Sequence, residues 1–383
     1  MAGDRGSSRV QRGALFVRKM LGQHNNKPPQ TPGTPSPLPS KSAPRLTITT
    51  PTTQTTTTTD STTKIKGFLK RLRHRDRTPQ HGSASFVFHG EDAMATATNY
   101  QIIADGVSNS NVVNSVSCST SPSALLARAL VHAVQQTLAQ EYTPTHMTDF
   151  ESLVVGAVQT AQRQCANLAR EMGSTLLVAY VDAARKRLYT FSVGDSKCIV
   201  VRKGRIVYET LSVVKQFNVP SIVNHQILRP HMYVVQSIPL QRGDLVMSFS
   251  DGFGDNVFKD DLVKALAVAR SSSNSLSAVC TQLMQLARTP PPAMDNVILP
   301  FSTAAATEYI ARVDAGPCTD EEARKSQELA KRFQGRIKFV LARQVSVHEQ
   351  DAKKHYSLAQ LYNMANLQKK KPDDISLALL EFR

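Results

Sequence analysis

The stretch Ser174–Glu209, STLLVAYVDAARKRLYTFSVGDSKCIVVRKGRIVYE, decides the fold. Three apolar runs rich in Val, Leu, Tyr and Ile, namely 174–181, 187–193 and 197–202, are separated by short polar turns. After Lys203-Gly204 a fourth run, 205–209, reverses direction. Runs of this length, bounded by Gly, Asp and Lys, read as strands joined by tight turns. The loops are too short for a helical crossover, so neighbouring strands must be antiparallel.

Outward from this meander the pattern becomes helical. Residues 122–140 carry Leu125, Leu126, Ala129, Leu130, Ala133 and Val134 on one stripe, with Ser121 as cap and Pro122 in the first turn. Residues 149–172 predict a second long helix that stops at Gly173. Downstream, 245–250 is a buried-type strand, 261–288 is helical, and 375–382 closes the chain as a strand. A short strand, 100–104, precedes the helix pair. Helices and strands are segregated, which predicts an α+β class: an antiparallel β-sandwich flanked by helices.

Composition divides the chain. Of a net charge of +16, residues 1–83 carry +12, together with nine of the 20 prolines and a threonine tract. Such a segment buries too little apolar surface to offset its ordering entropy and reads as a disordered basic tail. Residues 84–383 read as one domain, with an insertion near 313–350. Because the charge sits in the tail, the body lacks the basic stripe of a nucleic-acid reader, and no specific nucleic-acid partner is expected. No run of about 18 apolar residues marks a membrane span. Five scattered cysteines exclude a disulfide scaffold, and Cys165 and Cys198 read as core residues.

Four acidic clusters fall at strand ends: Glu91-Asp92, Asp105-Gly106, Asp251-Gly252 and Asp373-Asp374. Carboxylates distant in sequence can converge at the rim of a sandwich. Oxygen donors without His or Cys favour Mg²⁺ or Mn²⁺ over Zn²⁺. Glycine after an aspartate leaves room for its own carbonyl or a water to come close. Taken singly, each Asp-Gly pair is an ordinary turn.

The ordered set resembles the metal-dependent protein phosphatases of the PPM (type 2C) family. The resemblance rests on GEDA (90–93), YQIIADGVS (100–108), GSTLLVAYVD (173–182), FSVGDSKCIVVRKGRI (191–206), GDLVMSFSDGFGDNV (243–257) and KPDDISLALLEF (371–382). QFNVP (216–220) and SLAQLYNMANLQKKKPDDIS (357–376) are similar to a compact branch with organellar members. The resemblance implies a serine/threonine phosphatase that holds two Mg²⁺ or Mn²⁺ ions and a third, weaker one. A water activated by metal would attack phosphorus directly.

In that scheme Asp105 and Asp251 are the catalytic acids, with Asp105 bridging both ions. The Gly106 carbonyl, Glu91, Asp92, Asp251 and Asp373 complete the ligands. Asp195 is either a ligand of the third ion or part of a strand turn. Asp374 is expected to orient Asp373. Ser108-Asn109 replaces the family's usual glycines, which opens the rival reading of an impaired phosphatase that serves as a binding module. No general acid can be named, and His89 is a candidate for holding phosphate. Asp295-Asn296 is expected to be a decoy, His225 and His231 a bland loop pair, and Lys369 to Lys371 a solvated loop. Phosphoproteins are the expected partners and the chain is expected to be a monomer. The Arg-rich, acid-poor stretch 1–26 fits a mitochondrial transit peptide that would meet import machinery, or an anionic surface. The alternative compartments are cytoplasm and nucleus, the latter from the basic run 64–77.

Overall fold

The computed structural model describes residues 80–107, 121–140, 144–168, 172–273, 275–289, 298–337, 344–346 and 356–383. Ser108-Asn109, Asp295-Asn296 and residues 1–79 of the basic tail lie outside the described residues.

The first strand, β1 (Gln80–Phe86), crosses the boundary expected at residue 83, because it pairs along its length with the last strand, β13 (Ile375–Glu381). β2 (Ala93–Thr96) and β3 (Tyr100–Ala104) form a hairpin. Then come α1 (Pro122–Ala139) and α2 (Met147–Gln164). The meander follows as β4 (Leu176–Asp182), β5 (Arg187–Val193), β6 (Lys197–Arg202) and β7 (Arg205–Glu209). The remaining strands are β10 (Val234–Pro239), β11 (Leu245–Phe249) and a short β12 (Gln344–Ser346), after a small β8 (Ser212–Gln216) and β9 (Val219–Pro220).

Two five-stranded sheets result, ordered β1-β13-β11-β6-β7 and β10-β5-β4-β3-β2, with every pairing in them antiparallel. Side-chain alternation gives each sheet two apolar faces. Ile103, Leu177 and Leu188 of one sheet meet Val200, Val246 and Leu380 of the other between the layers. Ile102, Val178 and Phe191 point outward to Leu126, Leu130 and Phe150 of α1 and α2. On the opposite outer face Ile199, Met247 and Leu379 pack under the helices of 259–288. The architecture is the expected four-layer α-β-β-α sandwich. Buried polar contacts also bridge the sheets: Ser248 Oγ donates to Gln101 Oε1 at 2.6 Å, Gln101 Nε2 donates to the Val246 carbonyl, and the Thr190 and Tyr208 hydroxyls lie 2.6 Å apart.

Three sequence expectations differ in extent. The helix expected to reach Met172 ends at Gln164. The single helix expected over 261–288 is two, Lys259–Ser272 and Leu276–Arg288. The run Ser271 to Ser275 breaks it, since serine side chains compete for backbone groups, and Ser275 caps the second piece by accepting from the Ala278 N–H. The expected insertion contains the end of one helix, Pro300–Ala315, and all of another, Asp320–Phe333. Among the described residues no helix is long and apolar enough to cross a membrane.

Candidate metal centre

Strand register brings the acidic clusters to one end of the sandwich. Ala93 pairs with Ala104, so Asp92 and Asp105 leave the hairpin side by side. Phe249 pairs with both Leu377 and Lys197, so Ser250-Asp251, Asp373-Asp374 and Asp195 leave adjacent strands at the same edge. Thr175 N–H donates to the Asp105 carbonyl at 2.8 Å and locks the β3 end to the β4 start.

Two glycines permit the close approach. A Cβ on Gly252 would lie 2.0 Å from the Asp374 carbonyl oxygen, and one on Gly106 would lie 2.9 Å from that of Glu91. Both positions are therefore closed to any side chain.

Asp374 anchors the assembly. Its Oδ1 accepts backbone N–H bonds from Phe88, His89 (2.7 Å) and Gly90 (3.1 Å), and its Oδ2 accepts from Glu91 (2.6 Å) and Asp92 (3.1 Å). Burial pushes its pKa up, but these donors outweigh it and hold the carboxyl below the usual range. The expectation that Asp374 steers Asp373 is thus amended. Its carboxylate organises the 88–92 loop, and its backbone N–H donates to Asp373 Oδ1 at 3.0 Å. Glu91 is fixed from another side, where Ser121 Oγ donates to Glu91 Oε1 at 2.7 Å while accepting from Ala124 N–H as the cap of α1.

The cluster is short of positive charge. Burial, then the charges of Asp374 and Asp251, push Asp92 up to about 8. Burial, then Asp92, Asp251 and Asp373, raise Asp105 well above the ordinary carboxylate range. Burial with Asp251 beside it takes Asp373 to about 6. Burial with Asp251 and Asp255 nearby takes Asp195 to about 7. Both carboxylate oxygens of Asp92 and Oδ1 of Asp251 are buried without a hydrogen-bond partner. Orphaned, buried, hard oxygen donors at a crowded anionic point are the donor set that Mg²⁺ or Mn²⁺ takes. The residues fit such ions. Among the described residues, however, no group of three or more His, Cys, Asp or Glu side chains stands as a ready ligand shell.

What the carboxylates gather around is Lys371. Its Nζ lies 2.8 Å from Asp251 Oδ2, 2.7 Å from Asp255 Oδ2 and 3.2 Å from Asp373 Oδ2. This corrects the reading of the lysine run as a solvated loop, because the Lys371 side chain is only 17% exposed. For Asp251, burial acts upward, but the Lys371 charge and its hydrogen bond prevail and lower the pKa. Asn256 fixes the lysine backbone from both sides, accepting from Lys371 N–H at 2.8 Å and donating to the Lys371 carbonyl at 2.9 Å. Asp255, Asn256 and Lys371 were missed as site residues. The first two stand inside the GDNV of the quoted motif, one turn after Asp251, and Lys371 is the first residue of KPDD.

The remaining candidates sort simply. Asp195, Asp251 and Asp255 line a cavity of about 200 Å³ that also touches Lys197, Glu209 and Phe301. His89 stacks edge-on to Phe88, with ring centroids 4.6 Å apart. His225 and His231 are exposed, and Cys165 and Cys198 are buried as expected.

The chain is similar to several known proteins. The family model described as Stage II sporulation protein E (SpoIIE) matches residues 119–298. The chain is 27% identical over 126 residues to "Probable protein phosphatase 2C BIPP2C1" of Oryza sativa subsp. japonica, covering 33% of this chain and 22% of that protein. It is 31% identical over 113 residues to "Protein phosphatase PTC7 homolog fig" of Drosophila virilis, covering 27% of this chain and 36% of that protein. The matched stretches are thus well under half of either relative. Among solved structures, the photosystem II phosphatase PBCP shares the fold with a TM-score of 0.52 and 20% identity, across 80% of this chain and 99% of that one. Two antiparallel sheets between helix layers, with acids gathered at one end, define a phosphatase-type sandwich. The matches together support a PPM-type (type 2C) phosphatase.

Proposed function

We propose that this chain is a Mg²⁺- or Mn²⁺-dependent phosphatase acting on phosphoserine and phosphothreonine in proteins. One observation carries the reading: Asp92, Asp105, Asp251 and Asp373, spread over 282 positions of sequence, converge, and both carboxylate oxygens of Asp92 and Oδ1 of Asp251 are buried and unpaired. Isolated buried carboxylates are costly, and a cluster that keeps all of them is built for cations.

Divalent ions held there supply Lewis acidity that lowers the pKa of water and neutralises phosphoryl charge. The chain supplies the rest. Asp105, Asp251 and Asp373, with Asp92, Glu91 and the Gly106 carbonyl, hold the ions, and Asp195 faces the same region. Asp374 positions the loop that carries Glu91 and Asp92. Burial, then charges that include Asp251, raise the Asp105 pKa, whereas Asp251 itself is held low by Lys371 against its burial, so the two acids divide into a proton-holding and an ionised one. One C-x₅-R match occurs, Cys318 to Arg324, but the residues between them include Asp320, Glu321 and Glu322 in the first turn of a helix, whose carboxylates would repel a phosphate. Direct attack by water is therefore favoured over a cysteinyl-phosphate route.

The organellar assignment of residues 1–26 belongs to the same proposal, since the compact branch resembled includes organellar members. Fusing residues 1–83 to a fluorescent protein tests it. Matrix import supports the assignment, and a nuclear or diffuse signal unchanged by Arg9→Glu with Arg12→Glu refutes it.

The activity is tested by phosphate release from phosphoserine and phosphothreonine peptides by the full chain, in Mn²⁺ and in EDTA. Hydrolysis in Mn²⁺ alone supports the proposal. Peptide binding without hydrolysis in Mn²⁺ favours the binding-module alternative.

A further inference from the structure

The position of Lys371 has a chemical meaning of its own. An ammonium has three N–H donors. Here three carboxylate oxygens, from Asp251, Asp255 and Asp373, stand 2.7 to 3.2 Å from Nζ and can take all three. These are the lengths of charge-assisted bonds. A lysine so saturated has no donor left for a substrate phosphate. It acts as a cation toward the protein.

The tripod is built, not incidental. Asn256 grips the Lys371 backbone with donor and acceptor, and donates also to the Gly252 carbonyl at 2.8 Å, tying the lysine to the Asp251 turn. The Phe301 ring lies 5.2 Å beneath the ammonium and closes its apolar side. Asp251 is shared. Its Oδ2 faces the lysine, whereas its Oδ1 is buried without a partner and remains free to serve an ion on the other side. Asp195 adds a further anionic charge nearby.

We propose that Lys371 is a fixed monovalent cation of the centre: its ammonium takes the point that Asp251, Asp255 and Asp373 would otherwise offer to a divalent ion, and so sets how many ions the chain holds. This rests on the metal reading above.

The test counts Mn²⁺ per chain by equilibrium dialysis and elemental analysis, on the full-length wild type and on Lys371→Met, Lys371→Arg and Lys371→Met/Asp255→Asn, at one free Mn²⁺ concentration. Lys371→Met is expected to hold one more ion per chain than the wild type. Lys371→Arg keeps the charge and should keep the wild-type count. The double variant should lose the added ion. An unchanged or lower count in Lys371→Met overturns the proposal. Thermal unfolding gives a second readout, in which Mn²⁺ should raise the Tm of Lys371→Met by more than that of the wild type. Should Lys371→Met be unfolded without metal, refolding by millimolar Mn²⁺ supports the proposal, and a chain that stays unfolded overturns it. The wild-type count by itself bears on the metal reading, and the difference between variants bears on Lys371.

Discussion

Replacing Asp374 by asparagine probes how the centre is assembled. The wild-type carboxylate is 3% exposed and accepts five backbone N–H groups, three on Oδ1 and two on Oδ2. Asparagine keeps one oxygen and turns the other into an NH₂ donor. With the oxygen toward Phe88, His89 and Gly90, the N–H groups of Glu91 and Asp92 face a donor. Each buried donor left unsatisfied costs about 1–3 kcal/mol, and the surviving bonds lose their charge assistance. A loss of about 3–5 kcal/mol follows, a large share of a typical domain's 5–15 kcal/mol. The loss should depend on pH. The folded Asp374 carboxyl titrates below its unfolded value, about 3.9, so its stabilisation is full above that pH and vanishes as pH falls through the folded value. Urea denaturation of the metal-free full chain, wild type against Asp374→Asn, measures both effects. The expected result is a wide gap at pH 7 that narrows below about pH 4. A gap under about 1 kcal/mol at pH 7, or one that does not narrow in acid, refutes the reasoning.

Other outcomes follow from the same geometry. Gly252→Ala puts a methyl 2.0 Å from the Asp374 carbonyl oxygen, so the β11 turn or the closing strand must shift. A loss of at least about 2 kcal/mol is expected in denaturant, and wild-type stability would contradict the close approach. In the metal-free protein Asp92, Asp195 and Asp373 titrate at about 8, 7 and 6, above their unfolded values. The folded state therefore holds more protons than the unfolded state from about pH 4 to 8, and stability should fall as pH rises through that window. Melting temperatures in EDTA should decline from pH 5 to 8 and flatten when Mn²⁺ is added. A flat or rising metal-free profile would contradict the crowded carboxylates.

The sandwich was legible because the meander is strongly patterned. Arg187–Val193, Lys197–Arg202 and Arg205–Glu209 have the boundaries read from apolar runs and turns. The acids were legible because each stands at the end of such a run. The break at Ser273 was harder to see, since Leu266 and Leu276 both fall on a plausible continuous stripe. Lys371 escaped because a triple-lysine run is usually solvated. Its burial depends on Asn256 and on acids 116 and 120 positions away, which no local pattern encodes. The role of Asp374 escaped for the same reason, as its partners lie more than 280 positions upstream.

The central claim is that the gathered acids hold the ions that drive phosphate release. Asp251→Asn tests it most directly, since asparagine keeps the shape and removes one charge from the ion-facing and lysine-facing sides together. The measurement is phosphate release from a phosphothreonine peptide by the EDTA-stripped full chain as Mn²⁺ is titrated, with folding matched by circular dichroism. The account predicts no turnover in the stripped wild type, recovery with Mn²⁺, and less than about a tenth of wild-type turnover in Asp251→Asn at saturating Mn²⁺, a loss of at least about 1.4 kcal/mol of transition-state stabilisation. Turnover by the stripped wild type, or more than a tenth retained by the variant, would contradict it.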